Sequence, residues 1–180
     1  IEFKSTKLES RVAKVPLFDA DLQLSPEGAI QGAVLATIDG KLNLEFTPRD
    51  NQIGIALNAT KGWIPPLGPQ IEFTDLTAKA VAAGNQIRVE NFEAFLYGGV
   101  AKGSAVIVWG GPWSIEGDVA TERVGLQQLM TVLTNDAKST GQLESKLRYS
   151  MSSQTLATLF DSPRVEGTFS IRKGNLAGVD

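Results

Sequence analysis

Paired carboxylates are the residues of this chain that could most readily do chemistry. Asp19 and Asp21 are two positions apart, so a strand would carry both on one face. Glu90 and Glu93 form a second close pair. Two carboxylates can share acid and base roles only where their surroundings separate their pKa values. Asp19 and Asp21 alternate with apolar residues, which is typical of the solvated face of a two-faced strand.

The other common catalytic groups are missing or lack the required context. The 180 residues include no histidine and no cysteine, which excludes imidazole-based triads, thiol chemistry and disulfides. A P-loop needs lysine directly after its last glycine, but Ser104 follows Gly103, so we interpret Gly98–Ser104 as a turn entering a strand. The chain also lacks the Asp-x-Asp-x-Asp-Gly loop of calcium sites. We therefore predict no metal site, no cofactor and no enzymatic activity.

The bulk properties limit the classes of partner. The net charge is −3 and the positive charges are scattered, so nucleic acid is not an expected partner. No apolar run approaches the roughly 18 to 20 residues that a membrane-spanning helix needs. Ile1 lies within a strand-like pattern, and Gly178–Asp180 has the pattern of a strand that is beginning. We interpret residues 1–180 as one structural domain and a fragment of a longer protein.

Alternation of apolar and polar residues predicts a sheet for most of the chain. In the central stretch Gln86–Trp113 the apolar phase slips by one residue between Val89 and Phe92, which predicts a β-bulge near Asn91. Asp39-Gly40 is the strongest hairpin signal. The further predicted strands lie over 17–22, 31–38, 42–46, 53–57, 71–81, 115–120, 141–151 and 165–171, with an edge strand or pair within 1–15.

Three irregular stretches interrupt this pattern. Residues 61–70 hold three prolines, two glycines and Trp63, which predicts a crossover or the rim of the sheet. A helical stripe of Leu126, Leu129, Met130 and Leu133 predicts a helix after Val124. A second short helix, capped by Ser153 and ended by Pro163, would place Leu156, Leu159 and Phe160 on one stripe. Lys173–Asn175 would be a tight turn into a further strand from Leu176.

The apolar residues of the strands would give the sheet one continuous apolar side. In an ordinary sandwich this side would be sealed in a closed core. In a curved sheet part of it would stay open to acyl chains, and two short helices are too few to cover about a dozen strands. The residues predicted to line such a groove are Leu42, Leu44, Phe46, Ile53, Ile55, Leu57, Ile87, Val89, Phe92, Leu96, Phe169 and Ile171.

Two motifs in the second half of the chain resemble a known family. Phe92-Glu-Ala-Phe-Leu-Tyr-Gly-Gly-Val-Ala-Lys-Gly103 resembles the Leu-Tyr-Gly-Gly element of AsmA-like proteins (AsmA/TamB type) of Gram-negative envelopes. Gly167-Thr-Phe-Ser-Ile-Arg-Lys-Gly-Asn-Leu-Ala-Gly-Val-Asp180 resembles the closing element of their C-terminal region. The resemblance implies a periplasmic protein, anchored in the inner membrane, whose sheet forms an apolar groove for phospholipid.

Together these observations predict a mainly β fold: a twisted, curved, U-shaped antiparallel sheet that forms a groove, with two short helices. The predicted function is a non-enzymatic lipid-binding or phospholipid-transport module that contributes an apolar β-groove to outer-membrane biogenesis. Its expected partners are phospholipid or another acyl-chain lipid, with envelope proteins or further repeats of the same chain. The alternative is a structural or protein-interaction module of an envelope assembly protein.

Overall fold

The computed structural model describes residues 1–7, 16–134 and 138–175. In these ranges the chain forms an antiparallel sheet of eleven strands, and each strand pairs with its neighbours in sequence. The strands are β1 (Glu2–Thr6), β2 (Phe18–Leu24), β3 (Ile30–Thr37), β4 (Leu42–Arg49), β5 (Gln52–Trp63), β6 (Phe73–Ala83), β7 (Gln86–Leu96), β8 (Gly99–Val108), β9 (Trp113–Gly125), β10 (Gln142–Ser153) and β11 (Arg164–Arg172). Helix α1 (Leu126–Thr134) follows β9, and a 3-10 turn (Leu156–Thr158) follows β10.

The prediction of a mainly β, open antiparallel sheet is confirmed. Among the described strands β1 pairs only with β2 and β11 only with β10, so the sheet has two free edges. The alternative of a closed sandwich is excluded, because all the described strands belong to one sheet and no second described sheet lies against it. Asp39-Gly40 closes a hairpin as predicted, with the Gly40 amide donating to the Thr37 carbonyl at 2.9 Å.

The strand register gives the sheet two chemically different faces. Residues directly opposite each other in antiparallel strands share a face. The register therefore places one residue from each of the eleven described strands in a single row on one side of the sheet. This row, with the alternate residues along each strand that point to the same side, forms what we call the apolar face. The row is Phe3, Ala20, Leu35, Leu44, Leu57, Ala78, Phe92, Gly103, Val119, Leu147 and Gly167. The opposite side, the polar face, carries most of the charged and hydroxyl side chains of the strands.

The bulge predicted near Asn91 is confirmed. Lys79 lies opposite Asn91 and Ala80 lies opposite Val89, so Glu90 is the additional residue in β7. Because the bulge absorbs one residue, Val89 and Phe92 remain on the apolar face although three positions separate them. Without it, every side chain beyond Asn91 would exchange faces.

Close approach between strands marks the apolar face as the inner side of the curved sheet. A Cβ atom added at Gly103 would lie 2.0 Å from the carbonyl oxygen of Asp118, and one at Gly117 would lie 2.1 Å from that of Ser104. Neither position can carry a side chain without movement of the neighbouring backbone. Glycines and bulges are the usual devices that bend a sheet, and here both glycines face the apolar side.

The closed core lies where β7, β8 and β9 meet helix α1. Ala94, Leu96, Ala101 and Val124 are buried there. Leu129 of α1 packs against this cluster, together with Ile71, which lies between β5 and β6, and Phe73, the first residue of β6. The helical stripe predicted after Val124 is therefore confirmed, and it covers one end of the apolar face.

The second predicted short helix is present as a 3-10 turn of three residues, but two other details of the predicted chain path are wrong. Ser153, the last residue of β10, does not cap this turn. The Ser153 hydroxyl instead bonds the Thr158 hydroxyl and accepts from the Thr155 amide, and such local hydroxyl bonds compete with helix formation. Lys173–Asn175 does not reverse the chain, because Asn175 exchanges two backbone hydrogen bonds with Thr140. The strand predicted from Leu176 lies outside the described residues.

Candidate functional site

The twelve residues predicted to line a groove lie on the same face of the sheet. Leu44 is opposite Leu57, and Phe46 is opposite Ile55. The β6 alanines then connect β5 to β7 across the face: Ala78 lies between Leu57 and Phe92. Leu42, Ile53, Ile87, Val89, Leu96, Phe169 and Ile171 join the same face through the registers of their strands.

Exposure divides these twelve residues into three groups. Leu96 is 6% exposed and belongs to the closed core beneath α1. Ile53 and Phe169 are 43% and 60% exposed, which is high for apolar side chains on a shared face. The other nine are half-buried. Most of the apolar face is therefore neither sealed in a core nor fully solvated. Partly exposed apolar patches of this kind are typical of surfaces that bind a further apolar group.

A cavity of about 380 Å³ opens onto the apolar face at one end of β2–β5, and we call it the Trp63 pocket. Its volume falls in the range of small-molecule sites, roughly 300–1,000 Å³. The Trp63 ring, which forms part of the wall, stacks on Phe73 with ring centroids 6.2 Å apart. The apolar lining residues are Pro16, Phe18, Leu35, Leu42, Leu44, Trp63, Ile64 and Pro66.

Thr37, Asp39 and Lys41 give the Trp63 pocket a polar border at the β3–β4 hairpin. The Asp39 carboxylate accepts hydrogen bonds from the Thr37 hydroxyl at 2.6 Å and from the Lys41 amide at 3.0 Å. These bonds, the Thr37 one first, hold the pKa of Asp39 below its usual value, so it is ionised at neutral pH. The Lys41 ammonium donates to the Gly62 carbonyl at 3.3 Å. An apolar cavity with charged groups at its border suits an amphiphilic ligand better than a purely apolar one.

Two chain segments from opposite ends of the strands meet over the apolar face. Residues 64–72 follow β5, and residues 154–163 follow β10. A Cβ atom added at Gly68 would lie 3.0 Å from Cε1 of Phe160, so the two segments are in contact. Leu159, beside this contact, is 1% exposed. The face is thus covered in part, while Val165 and Phe169 on β11 remain 53% and 60% exposed.

Tyr149 places a polar group on the apolar face and satisfies it. Its hydroxyl donates to the Ser104 carbonyl at 3.2 Å, and its ring end lies over Gly117. Burial, with the negative charge of Asp118 second, raises the pKa of Tyr149 above its ordinary value. The phenol therefore stays neutral and contributes no charge to the apolar surface.

The polar face has a depression of about 680 Å³, but its chemistry does not suit hydrocarbon. Three arginines and four carboxylates line it, and Arg148 pairs there with Asp118 at 3.5 Å. An apolar ligand would strip water from these charges at high cost. We therefore regard this depression as a solvated trough between long side chains.

The carboxylate pairs considered for acid–base chemistry lie in solvated positions. Asp19 accepts from the Ser5 amide at 2.8 Å and lies 3.7 Å from the Lys4 ammonium. Glu93 pairs with Lys102 at 2.8 Å on the polar face, and this contact raises the pKa of Lys102. No group of three or more acidic side chains that could hold a metal occurs in residues 1–7, 16–134 and 138–175. In the same ranges no helix combines the length and apolarity that crossing a membrane requires.

Sequence reasoning missed part of this arrangement. It gave Trp63 no more than a place at the rim, and Phe18, Leu35, Ile64 and Pro66 were not among the predicted lining residues. The alternation in 17–22 could have identified Phe18 as an apolar-face residue. The return of 64–66 over that face carries no periodic signal in the sequence.

Comparison of the chain with protein-family models, with curated proteins and with solved structures finds no match.

Proposed function

We propose that this chain is a non-enzymatic lipid-binding module that holds an acyl chain against its curved apolar face. The observation that carries the proposal is the unbroken apolar row across the eleven described strands of a single-layer sheet, left half-buried along most of its length. A protein that needed the row only for its own stability would cover it with a second layer.

The energetics of the apolar face support an acyl chain as ligand. Burying hydrocarbon yields about 0.8 kcal/mol per CH₂ group, so a modest length of chain gives useful affinity. The Trp63 pocket supplies a concave, mostly apolar part of this surface, and its Lys41 and Asp39 border can stay hydrated beside a polar head group. An acyl chain that continues from the pocket along β4 and β5 would contact Leu44, Leu57 and Ile55.

We further propose the cellular setting that the resemblance to AsmA-like proteins implies. The module would belong to a periplasmic protein anchored in the inner membrane, and it would contribute its groove to phospholipid transport in outer-membrane biogenesis. The Leu96-Tyr-Gly-Gly99 element, which carries this resemblance, forms the turn between β7 and β8 beside the closed core. Leu96 of this element is buried in that core.

A matched pair of variants in β4 tests the proposal. Leu44→Gln introduces a polar side chain on the apolar face in the Trp63 pocket, and Glu45→Gln introduces the same side chain on the opposite face. Titration with a fluorescent fatty acid should show binding to the wild type. Leu44→Gln should weaken it about tenfold or more, since burial of a leucine is worth about 1.5–3 kcal/mol. Glu45→Gln should change it less than about twofold.

Native mass spectrometry of the purified protein provides a second readout, in which phospholipid should accompany the wild type. Absence of co-purified lipid together with no saturable fatty-acid binding would contradict the proposal. Equal loss of binding in both β4 variants, with unchanged melting temperatures, would also contradict it, because the effect would then not depend on the face.

The alternative, a structural or protein-interaction module, has support from one observation. The long outer edge of β11 is unoccupied by any described strand. An edge of this kind can pair with another strand, whatever the apolar face binds.

A further inference from the structure

The outer edge of β11 is a nine-residue strand edge whose backbone donors and acceptors pair with no described strand. β11 pairs with β10 over nine consecutive residue pairs without a register shift. It contains no proline, and all its residues except Ile171 are exposed. No described strand or helix lies along its outer side. Such an edge is a template for a further strand.

The opposite edge of the sheet differs. β1 has five residues and a register shift between Phe3 and Thr6, and Ser5 has a φ of 49°. Shortness and irregularity are common ways in which proteins protect an edge strand. The β11 edge is longer and has no register shift, and within this strand only Gly167, with a φ of 149°, has an unusual backbone conformation.

The side chains of β11 complement those of a second, antiparallel copy of β11. The apolar residues of β11 have odd numbers and its charged and hydroxyl residues have even numbers. Apolar residues therefore face apolar residues only in registers that pair odd with odd and even with even positions. One of these registers, with Phe169 opposite itself, places Glu166 of each copy opposite Arg172 of the other. Its other pairs within β11 are Thr168 opposite Ser170 and Gly167 opposite Ile171, while Val165 and Arg164 lie opposite Lys173 and Gly174 beyond the end of the strand. None of these pairs brings like charges together.

Neighbouring registers are less favourable. A shift of two residues in one direction brings Arg164 opposite Arg172, and like charges directly opposite each other are destabilising. A shift of two in the other direction puts Arg172 opposite Thr168 and loses both charge pairs. Arg172 already contacts Glu144 of its own chain at 2.9 Å. Its five N–H donors can serve that carboxylate and Glu166 of a second copy together.

We propose that two copies of this chain pair through β11 about a twofold axis at Phe169. The axis is perpendicular to the sheet, so the apolar faces of both copies lie on the same side and join into one surface. Phe169, 60% exposed in the single chain, would be covered by its counterpart. The pairing uses backbone groups and the side chains of one strand, and it does not depend on lipid binding.

A cysteine at the axis tests the register directly, because the chain has no cysteine of its own. In the proposed dimer the two residues 169 have Cβ atoms about 4.5–5.5 Å apart. A short bismaleimide should therefore cross-link Phe169→Cys into a dimer in high yield. Val165→Cys, on the same strand and face, is the control. Its two copies would lie eight residues apart, roughly 27 Å at about 3.4 Å per residue, and should not cross-link.

Charge at the axis gives an independent test by light scattering from micromolar to millimolar protein. The wild type should dimerise with rising concentration. Phe169→Glu and Phe169→Lys should each weaken association about tenfold or more, because each variant opposes its own charge. A mixture of the two should restore dimers. Circular dichroism and melting temperatures should match the wild type, since Phe169 opposes only Ser145 within the chain.

A wild type that stays monomeric across this range would overturn the proposal. So would equal cross-linking of the two cysteine variants, or a mixture of Phe169→Glu and Phe169→Lys that remains as weakly associated as either alone.

Discussion

Gly117 and Tyr149 show how single residues permit the curvature of the sheet. They lie opposite each other on β9 and β10, and the Tyr149 hydroxyl crosses the space above Gly117 to reach the Ser104 carbonyl on β8. A side chain at position 117 would occupy that space. Because Gly117 on β9 has no side chain, Tyr149 on β10 can reach across it and bond Ser104 on β8. These contacts link three strands on the inner side of the curve.

The first prediction concerns Gly117→Ala. The new methyl carbon would lie 2.1 Å from the Ser104 oxygen and 2.7 Å from the Tyr149 hydroxyl, so backbone must move. Overpacking of this kind costs about 1–3 kcal/mol, and we expect the free energy of unfolding in urea to fall by that amount. Gly111→Ala is the control, because no atom lies within 4 Å of its added Cβ, and its change should stay within about 0.5 kcal/mol. Similar losses in both variants would refute the close approach at Gly117.

The second prediction follows from the raised pKa of Tyr149, caused first by burial and then by Asp118. The phenol of the unfolded chain ionises near its ordinary value of 10.0, while the folded protein keeps it neutral. Its contribution is therefore fully present below pH 10 and is lost as the pH rises through the folded pKa. The free energy of unfolding, measured from pH 8 upward, should decline more steeply for the wild type than for Tyr149→Phe. Parallel profiles would show that Tyr149 is solvated.

At the scale of elements, the apolar face is covered by two segments that carry little regular structure. Residues 64–72 and 154–163 arrive from opposite ends of the strands and meet at Gly68 and Phe160. Few backbone groups of either segment lie in a ladder, so their order depends on side-chain contacts. Such segments belong to the low-stability end of a fold and can open without unfolding the sheet.

The third prediction tests whether the two segments support each other. Phe160→Ala removes the ring that contacts Gly68, and amide hydrogen exchange should accelerate about tenfold in both segments while β5–β9 stay protected. Phe95→Ala removes an aromatic ring that is 46% exposed and should leave both segments unchanged. Faster exchange in 154–163 alone would mean that the segments are independent.

The elements that the sequence predicted well are those with a clear period. Alternation located β2–β7 and β10–β11, and the one-residue slip between Val89 and Phe92 located the bulge at Glu90. The stripe through Leu129 located α1. The sequence also located the second short helix, which is a 3-10 turn, but the predicted cap was wrong because the Ser153 hydroxyl bonds the Thr158 hydroxyl instead.

Other features depend on tertiary contacts that leave no periodic trace. β5 continues to Trp63 through a register shift at Lys61 and Gly62, although the prolines and glycines of 61–70 predicted a crossover or the rim of the sheet there. That extension brings Trp63 and Ile64 over β2–β4 and creates the Trp63 pocket. The twelve residues predicted to line the groove share a face because the strands alternate and the bulge at Glu90 absorbs the slip in β7. The segments that cover this face lie between strands and have no such period.

At the scale of the whole molecule, the protein has a large surface and a small core. Its solvent-accessible surface is 11608 Å², whereas a compact monomer of 19.3 kDa would expose about 8,500 Å². A single-layer sheet explains the difference, since one face of every strand lacks a second layer. Binding of an apolar ligand to the apolar face, or pairing of a further strand with an edge of the sheet, would therefore stabilise the folded molecule.

The most direct test of an accessible apolar face uses Trp63 as a local reporter. Trp109→Phe and Trp113→Phe together leave Trp63 as the only tryptophan, in the wall of the pocket on the apolar face. A brominated fatty acid quenches indole fluorescence only on contact. We expect saturable quenching that an unlabelled fatty acid reverses and that Leu44→Gln weakens about tenfold or more. Fluorescence that falls no further than for free tryptophan at the same fatty-acid concentration would contradict it.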